Sequence, residues 1–385
     1  MDIICALAQE LNVNEKYVEN VVQLLDEGNT IPFIARYRKE LHGAMDDTTL
    51  RTLEERLQYL RNLEERRAAV KKSIVDQGKL TEELSAAIDA ARTLAEVEDL
   101  YRPYKQKRRT RATVAREKGL EPLAQLLLAQ EKDCPAPEAA AQAYIDPEKG
   151  VETVEDALAG ASDIIAETVS DDAALRGKLR ALLGRSGYLT SSAVSEEDSV
   201  YRLYYDFRQP LSRVQGYQVL AINRGEKEGF LKVSIDLDRE AALPVVRRHV
   251  LIPGSRSMAF VRGAAEDAYD RLIYPSLERE ARSALTDSAN EGAIGQFALN
   301  LKPLLLQPPV KGHVTMGLDP GYAHGCKVAV IDGTGKVLDT TVVYPTYGER
   351  QKREAITKLT ALCKKHGVAH IAIGNGTASR ETEQM

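Results

Sequence analysis

The hydrophobic pattern of the first 300 residues is helical. Apolar side chains recur every three or four positions in segments 2–11 and 15–27, and more clearly in 47–77 and 154–183. Segment 47–77 would form a helix about 45 Å long. We expect it to act as a packed scaffold, with a partner-binding coiled coil as the alternative. Its apolar seam consists of Leu50, Leu53, Leu57, Leu60, Leu63, Val70 and Ile74, and charged residues that include Arg66 and Arg67 should cover the other faces.

The two short helices at the start resemble a helix-turn-helix unit. Any two short helices joined by a few residues share this pattern, so we interpret them as ordinary helical packing, with DNA reading as the alternative. Thr93 and Glu96 form a capping-box pattern before the next helix. We therefore predict a helical region over 1–100 with a start like a helix-turn-helix.

The pattern is less regular between residues 101 and 310. Prolines indicate loops at 131–137 and 147–150, segment 186–206 has little periodicity, and 230–236 alternates like a short strand. Helices then resume, with an interruption expected near Pro275. The prolines of 306–310 are the clearest domain boundary in the chain.

From Val314 the hydrophobic period changes to two. Three strands in successive hairpins are predicted first, starting at 314, 326 and 337. They precede an amphipathic helix at 349–366 and a fourth strand that starts at His370. The inner face of this helix should contain Ile356, Leu359, Leu362 and Cys363.

The order β-β-β-α-β is that of the opening portion of an RNase H-like fold, which needs a further helix and strand. We therefore expect 311–385 to be an incomplete domain of a longer protein. The predicted fold class is a mainly α N-terminal region followed by a truncated α/β RNase H-like domain with a mixed sheet. The domains would be 1–100, 101–310 and 311–385.

Charge changes this picture at one place. The chain has a net charge of −5, which gives no general affinity for polyanions. Segment 101–118 nevertheless has eight positive charges against Glu117, a local net charge of +7. Tyr101 and Tyr104 lie among these cations and could stack on bases. The candidate nucleic-acid-binding residues are Arg102, Lys105, Lys107, Arg108, Arg109, Arg111, Arg116 and Lys118.

Three other interpretations of the basic segment are open. It could bind an acidic protein, it could be a solvated loop that pairs with the acidic helices around it, or its arginines could bridge the helical body to the α/β domain. Exposed ion pairs contribute only about 0–1 kcal/mol each, so the second interpretation makes the segment structurally minor.

Metal and cofactor chemistry has little support in the sequence. The four cysteines have no zinc-ligand spacing, and the six histidines are dispersed. We expect reduced thiols, no metal and no cofactor. The N-terminus does not look like a signal peptide and no apolar run approaches about 18 residues, so we expect a cytoplasmic protein without a membrane span.

One carboxylate stands where an RNase H-like nuclease needs one. Asp319 follows the first predicted strand, but the fourth strand ends at Asn375, a poor ligand for Mg²⁺. Asp319 is thus a weak catalytic candidate, and its turn has a structural explanation as well. The turn 374–377 could present backbone N–H groups to a phosphate, although a helix capped by Thr377 or Ser379 is the favoured interpretation.

Several long motifs together resemble the Tex family of bacterial transcription accessory proteins. They match in the right order over essentially the whole chain, as Ile31–Glu40, Glu98–Tyr101, Pro103–Lys105, Lys107–Arg111, Ala115–Leu123, Gly317–Gly321 and Ala372–Glu381. The resemblance implies a helical region followed by a YqgF-type RNase H-like domain that has lost its acid set. It also implies helix-hairpin-helix units and an OB-fold RNA-binding domain further on, the latter being the main grip on nucleic acid.

Three functions follow as hypotheses. The first is a non-enzymatic factor that binds RNA or DNA and assists transcription, with RNA polymerase or the ribosome as a further partner. The second is a metal-dependent nuclease of the Holliday-junction-resolving type. The third is a scaffold that binds only proteins through its long helices.

Overall fold

The computed structural model describes residues 2–43, 45–106, 108–195, 197–308 and 310–385. The chain divides into two compact units, 1–294 and 295–385. The first unit contains two hydrophobic cores and the second contains one. The predicted fold class, a mainly helical region followed by a small mixed sheet of RNase H-like order, is confirmed. The predicted domain limits near 100 and 310 stay predictions.

The N-terminal core is built around one long helix. Side-chain oxygens of Asp2, Asn14, Asp46, Thr81 and Thr93 accept backbone N–H bonds at helix starts, and Thr93 with Glu96 forms the predicted capping box. The helices are α1 (Ile3–Leu11), α2 (Glu15–Asp26), α3 (Ile31–Tyr37), α4 (Asp47–Asp76), α5 (Glu82–Ala90) and α6 (Leu94–Tyr101).

The predicted seam of α4 is confirmed, since all seven of its residues are buried. One prediction for the other faces is wrong. Arg67, expected at the surface, is only 2% exposed and donates to Glu64 and to the Ala91 carbonyl. The Glu64 carboxylate compensates its charge and the carbonyl accepts a second hydrogen bond, so the guanidinium can lie on the buried face of the helix.

The second core of this unit is also helical. Its centre includes Leu120, Leu123, Leu127, Ile164 and Leu179, each at most 2% exposed. The helices are α7 (Arg111–Glu117), α8 (Glu121–Ala129), α9 (Pro137–Ala141), α10 (Val154–Ser170), α11 (Ala173–Ser186), α12 (Gly216–Lys227), α13 (Arg239–Val250), α14 (Met258–Asp267) and α15 (Tyr274–Leu305).

One helix prediction in this region is wrong and another is confirmed. The single helix predicted over 154–183 is divided at Asp171, because the side chain of Asp172 accepts from the N–H of Leu175 at 2.7 Å and starts a new helix. The interruption predicted near Pro275 is present as a π-helical segment, Ala268–Ile273, between α14 and α15. A proline has no N–H to donate, and the wider turn just before it accommodates its ring without ending the helix.

A small antiparallel sheet lies against the second core. It contains β1 (Tyr188–Ala193), β2 (Asp206–Pro210) and β3 (Leu231–Asp236) in the order β2-β1-β3. The strand predicted at 230–236 is confirmed, whereas β1 and β2 were not predicted. Strand β1 is polar in sequence, and it is held by its two neighbours and by side-chain bonds such as Thr190 to Ser234 at 2.9 Å.

The second unit contains a four-stranded sheet in the order β6-β5-β4-β7. Strands β4 and β7 are parallel and the other pairs are antiparallel, so the sheet is mixed. Helix α16 packs Ala355 and Leu359 onto the sheet, whereas Ile356, predicted inside, is 39% exposed. The elements are β4 (Thr315–Asp319), β5 (Cys326–Ile331), β6 (Val337–Val343), α16 (Glu349–His366), β7 (His370–Ile373) and α17 (Ser379–Glu383).

Within the described ranges, the structure has no helix that combines the length and the apolar character needed to cross a membrane.

Candidate nucleic-acid interface

The basic segment 101–118 leads from the end of α6 to the end of α7. A short 3₁₀ turn at Arg102–Tyr104 follows α6, and Pro103 fits its start. Helix α7 then begins after Thr110, whose hydroxyl accepts from the N–H of Thr113 at 3.0 Å. Lys107 lies outside the described residues. The segment therefore has a turn and a helix at its ends, and Lys105, Arg108 and Arg109 lie between them.

Three of the eight candidate cations bind groups of the protein itself. Arg102 lies 3.3 Å from the Asp171 carboxylate, and burial together with the positive charge of Arg176 lowers the pKa of its guanidinium. Arg116 contacts Glu121 and Glu167, each at 2.6 Å. Lys118 donates to the Gly150 carbonyl at 2.7 Å. These side chains fix the local structure and leave less charge for a ligand.

Four other cations are exposed, and we call Lys105, Arg108, Arg109 and Arg111 the cationic loop. Arg109 pairs with Glu117 at 2.8 Å, but both side chains are more than half exposed, so water competes strongly with the pair. Over the described residues, Lys105, Arg108 and Arg111 have no ion-pair partner. Positive charge is thus concentrated on a surface that a phosphate can reach.

The two tyrosines of the segment have other contacts. The Tyr101 hydroxyl lies 3.0 Å from the Ser73 hydroxyl, and the Arg66 guanidinium stacks over its ring at 5.6 Å. Tyr104 packs against the N-terminal core, and its carbonyl accepts from Gln77 at 2.9 Å. Both rings are half-buried against the N-terminal core, and their stacking on bases stays a prediction.

A buried network of charges anchors the segment at its start. Asp99 accepts from Arg176 and from Arg180, each at 2.7 Å, and the Asp99 and Arg176 side chains are 6% and 2% exposed. Arg180 also pairs with Glu280, and Arg176 donates to Ser276 at 3.2 Å. The network joins α6, α11 and α15. The sequence offered only a weak signal for this network, namely that Asp99 of the Glu98–Tyr101 motif stands at a buried position of a helix.

The nuclease-like position in the second unit is also defined. Asp319 is exposed at the end of β4, and Asn375 follows β7. An acid that the sequence reasoning missed, Glu381 on α17, accepts a hydrogen bond from Tyr322 at 2.7 Å, which lowers the pKa of the carboxyl. Among the described residues, no three His, Cys, Asp or Glu side chains are close enough together to hold a metal ion.

The turn at 374–377 does not form the predicted cap. Helix α17 starts at Ser379 after Ala378, which has a φ of 61°, and no side-chain bond caps it. The prediction that Thr377 or Ser379 caps this helix is wrong. Helix α17 has only five residues, and phosphate binding by the backbone of 374–377 stays a prediction.

Comparison with family models gives three matches along the chain. Residues 1–75 match the Tex-like protein N-terminal domain and 133–297 match the Tex central region-like model. Residues 313–385 match the Tex protein YqgF-like domain. The matched segments follow in the order that the sequence motifs predicted, and the third coincides with the RNase H-like sheet.

Relatives of the whole chain are similar over nearly all of its length. The transcriptional accessory protein Tex of Neisseria gonorrhoeae is 43% identical over 100% of this chain and 51% of its own length. The protein tex of Bordetella pertussis is 44% identical over 100% of this chain and 50% of its own. A human S1 RNA-binding domain-containing protein is 34% identical over 99% of this chain and 40% of its own. The chain thus spans about half the length of the bacterial relatives.

Proposed function

This chain belongs to the Tex family, and from that premise we propose that it is a nucleic-acid-binding accessory factor of transcription that does not cut its ligand. RNA is the first proposed ligand and DNA the second. The names of the relatives support a role in transcription and the binding of RNA, since one is a transcriptional accessory protein and another contains an S1 RNA-binding domain. We further propose a cytoplasmic location and contact with RNA polymerase or the ribosome.

The observation that carries the proposal is the cationic loop. Residues 1–294 have a net charge of −9, because 295–385 contain eleven Lys and Arg against seven Asp and Glu in a chain of −5. Four exposed cations therefore stand together on a unit that otherwise repels polyanions. Each phosphate that they neutralise releases bound counterions, which makes binding favourable and dependent on salt.

Charge reversal of this loop should weaken binding. We expect the variant Arg108→Glu/Arg109→Glu/Arg111→Glu to bind labelled single-stranded RNA at least about tenfold more weakly at 0.1 M salt, with a log–log salt slope smaller by about 2. Arg111 is the first residue of α7, where an acid is favourable, so the helix should persist. Fluorescence anisotropy over a salt series measures both quantities.

A control separates local charge from net charge. The variant Lys132→Glu/Arg213→Glu/Lys227→Glu reverses three exposed cations elsewhere in the same unit and changes the net charge equally. Its affinity should stay within about twofold of the wild type, because long-range repulsion is largely screened at this salt concentration. Equal affinities for the two variants would refute the role of the loop.

The nuclease is the second candidate, favoured by the position of Asp319 at the end of β4. Since the described residues do not bring three ligating side chains together, we expect no Mg²⁺-dependent cleavage of RNA, duplex DNA or four-way junctions by this chain or by a full-length relative. Asp319→Asn should leave binding unchanged. Cleavage that requires Mg²⁺ and disappears in Asp319→Asn, but not in Asp332→Asn at the opposite end of the same strand pair, would establish the nuclease instead.

A further inference from the structure

The second unit has its own concentration of positive charge. Its net charge is +4, opposite in sign to that of residues 1–294. Helix α16 alone has six Lys and Arg against Glu349 and Glu354, which also gives +4. The rest of the unit is therefore neutral in sum, and the positive field of the unit originates in one helix.

The cations of α16 lie mainly on the side away from the sheet. Ala355 and Leu359 face the sheet, and at 100° per residue Arg350, Arg353 and Lys364 point to the opposite side. Lys358 and Lys365 flank them. All five are exposed, and we call them the α16 basic face. From Arg353 to Lys364 it extends about 17 Å, the length of about five phosphates along one strand of a duplex.

Helix stability accounts for part of this charge. Lys364 and Lys365 stand in the last turn, where cations stabilise a helix, and Lys365 also pairs with Asp339 at 2.9 Å. Arg350 and Arg353 stand near the first turn, where cations are unfavourable. Arg350 pairs with Glu354 at 3.0 Å, but the two side chains are 88% and 63% exposed, so the pair contributes little.

Three members of the face are not used in ion pairs with the described residues. Within the described ranges, Arg353, Lys358 and Lys364 have no ion-pair partner, and all three are exposed. We propose that the α16 basic face is a second binding surface for the phosphate backbone of nucleic acid, separate in the chain from the cationic loop. The inference rests on the proposed function and adds to it a surface in the YqgF-like unit.

The test reverses the three unpaired cations in the whole chain. The variant Arg353→Glu/Lys358→Glu/Lys364→Glu should bind labelled single-stranded RNA about tenfold more weakly at 0.1 M salt, with a salt slope smaller by about 2. The control Lys302→Glu/Lys311→Glu/Lys336→Glu reverses three exposed cations of the same unit outside α16 and should stay within about twofold of the wild type. The affinity of the neutral variant Arg353→Gln/Lys358→Gln/Lys364→Gln should lie between those of the charge-reversal variant and the control.

The outcomes separate this inference from the proposed function. If the cationic-loop variant loses affinity for RNA and the α16 variant binds RNA like its control, the inference is wrong and the proposed function stands. If neither variant differs from its control in RNA affinity, the inference and the proposed function are both wrong. A loss in the α16 variant, with unchanged circular dichroism, supports the inference whatever the loop variant does. Polyglutamate serves as a probe for acidic proteins. If the α16 variant binds polyglutamate more weakly but binds RNA like its control, the face binds acidic proteins and the inference is wrong.

Discussion

Removal of the Asp99 carboxylate should destabilise the first unit by about 3–5 kcal/mol. Asp99 accepts from both Arg176 and Arg180, and Arg176 is 2% exposed, so Asp99→Ala leaves a buried guanidinium whose remaining counter-charge, Glu280, is 3.8 Å away. The cost arises from the poorly compensated charge that remains buried as well as from the lost attraction. Urea unfolding followed by circular dichroism measures the change in the free energy of unfolding.

An exposed ion pair provides the matched control for Asp99. Arg202 and Asp198 are 3.5 Å apart with side chains 78% and 77% exposed, so Asp198→Ala should cost at most about 1 kcal/mol. The double variant Asp99→Leu/Arg176→Met removes both buried charges of one pair. We expect it to cost at least about 1 kcal/mol less than the sum of its single variants. Equal costs for Asp99→Ala and Asp198→Ala would contradict the importance of burial.

This network shows which part of the site could be predicted from the sequence. The positive charge of 101–118 is visible in the sequence, but the partners of each cation are not. Arg116 meets Glu167 across 51 positions and Arg176 meets Asp99 across 77. Such pairs depend on how helices pack, and no local pattern encodes them. The sequence therefore identified the segment, while the structure separates its anchoring cations from its exposed ones.

The same limit applies to the fold. Long segments with a sustained apolar period, such as α4 and α16, were predicted to within about two residues, because many positions repeat the same signal. Strand β1, with the sequence YLTSSA, has no comparable signal, since hydrogen bonds to β2 and β3 stabilise it. The division between α10 and α11 depends on one capping aspartate, Asp172. The apolar residues keep their helical spacing on both sides of it, so the hydrophobic pattern does not indicate the break.

A hydrophobic truncation at the centre of α4 should have an effect of similar size. Leu63 is fully buried in the N-terminal core, and Leu63→Ala removes apolar contacts and leaves a cavity, so we expect a loss of about 2–5 kcal/mol. Chemical unfolding monitored by circular dichroism gives the value, and a lower Tm should accompany it.

Val75, on the same helix, tests whether burial or helix formation causes this loss. Its side chain is 55% exposed, and alanine has the higher helix propensity, so Val75→Ala should change the stability by less than about 0.5 kcal/mol. The basic segment depends on the same helix, because Tyr101 and Tyr104 contact Ser73 and Gln77. Near denaturing temperatures Leu63→Ala should therefore also weaken RNA binding, whereas at low temperature it should not. Equal stability losses at Leu63 and Val75 would mean that the seam of α4 does not hold the core together.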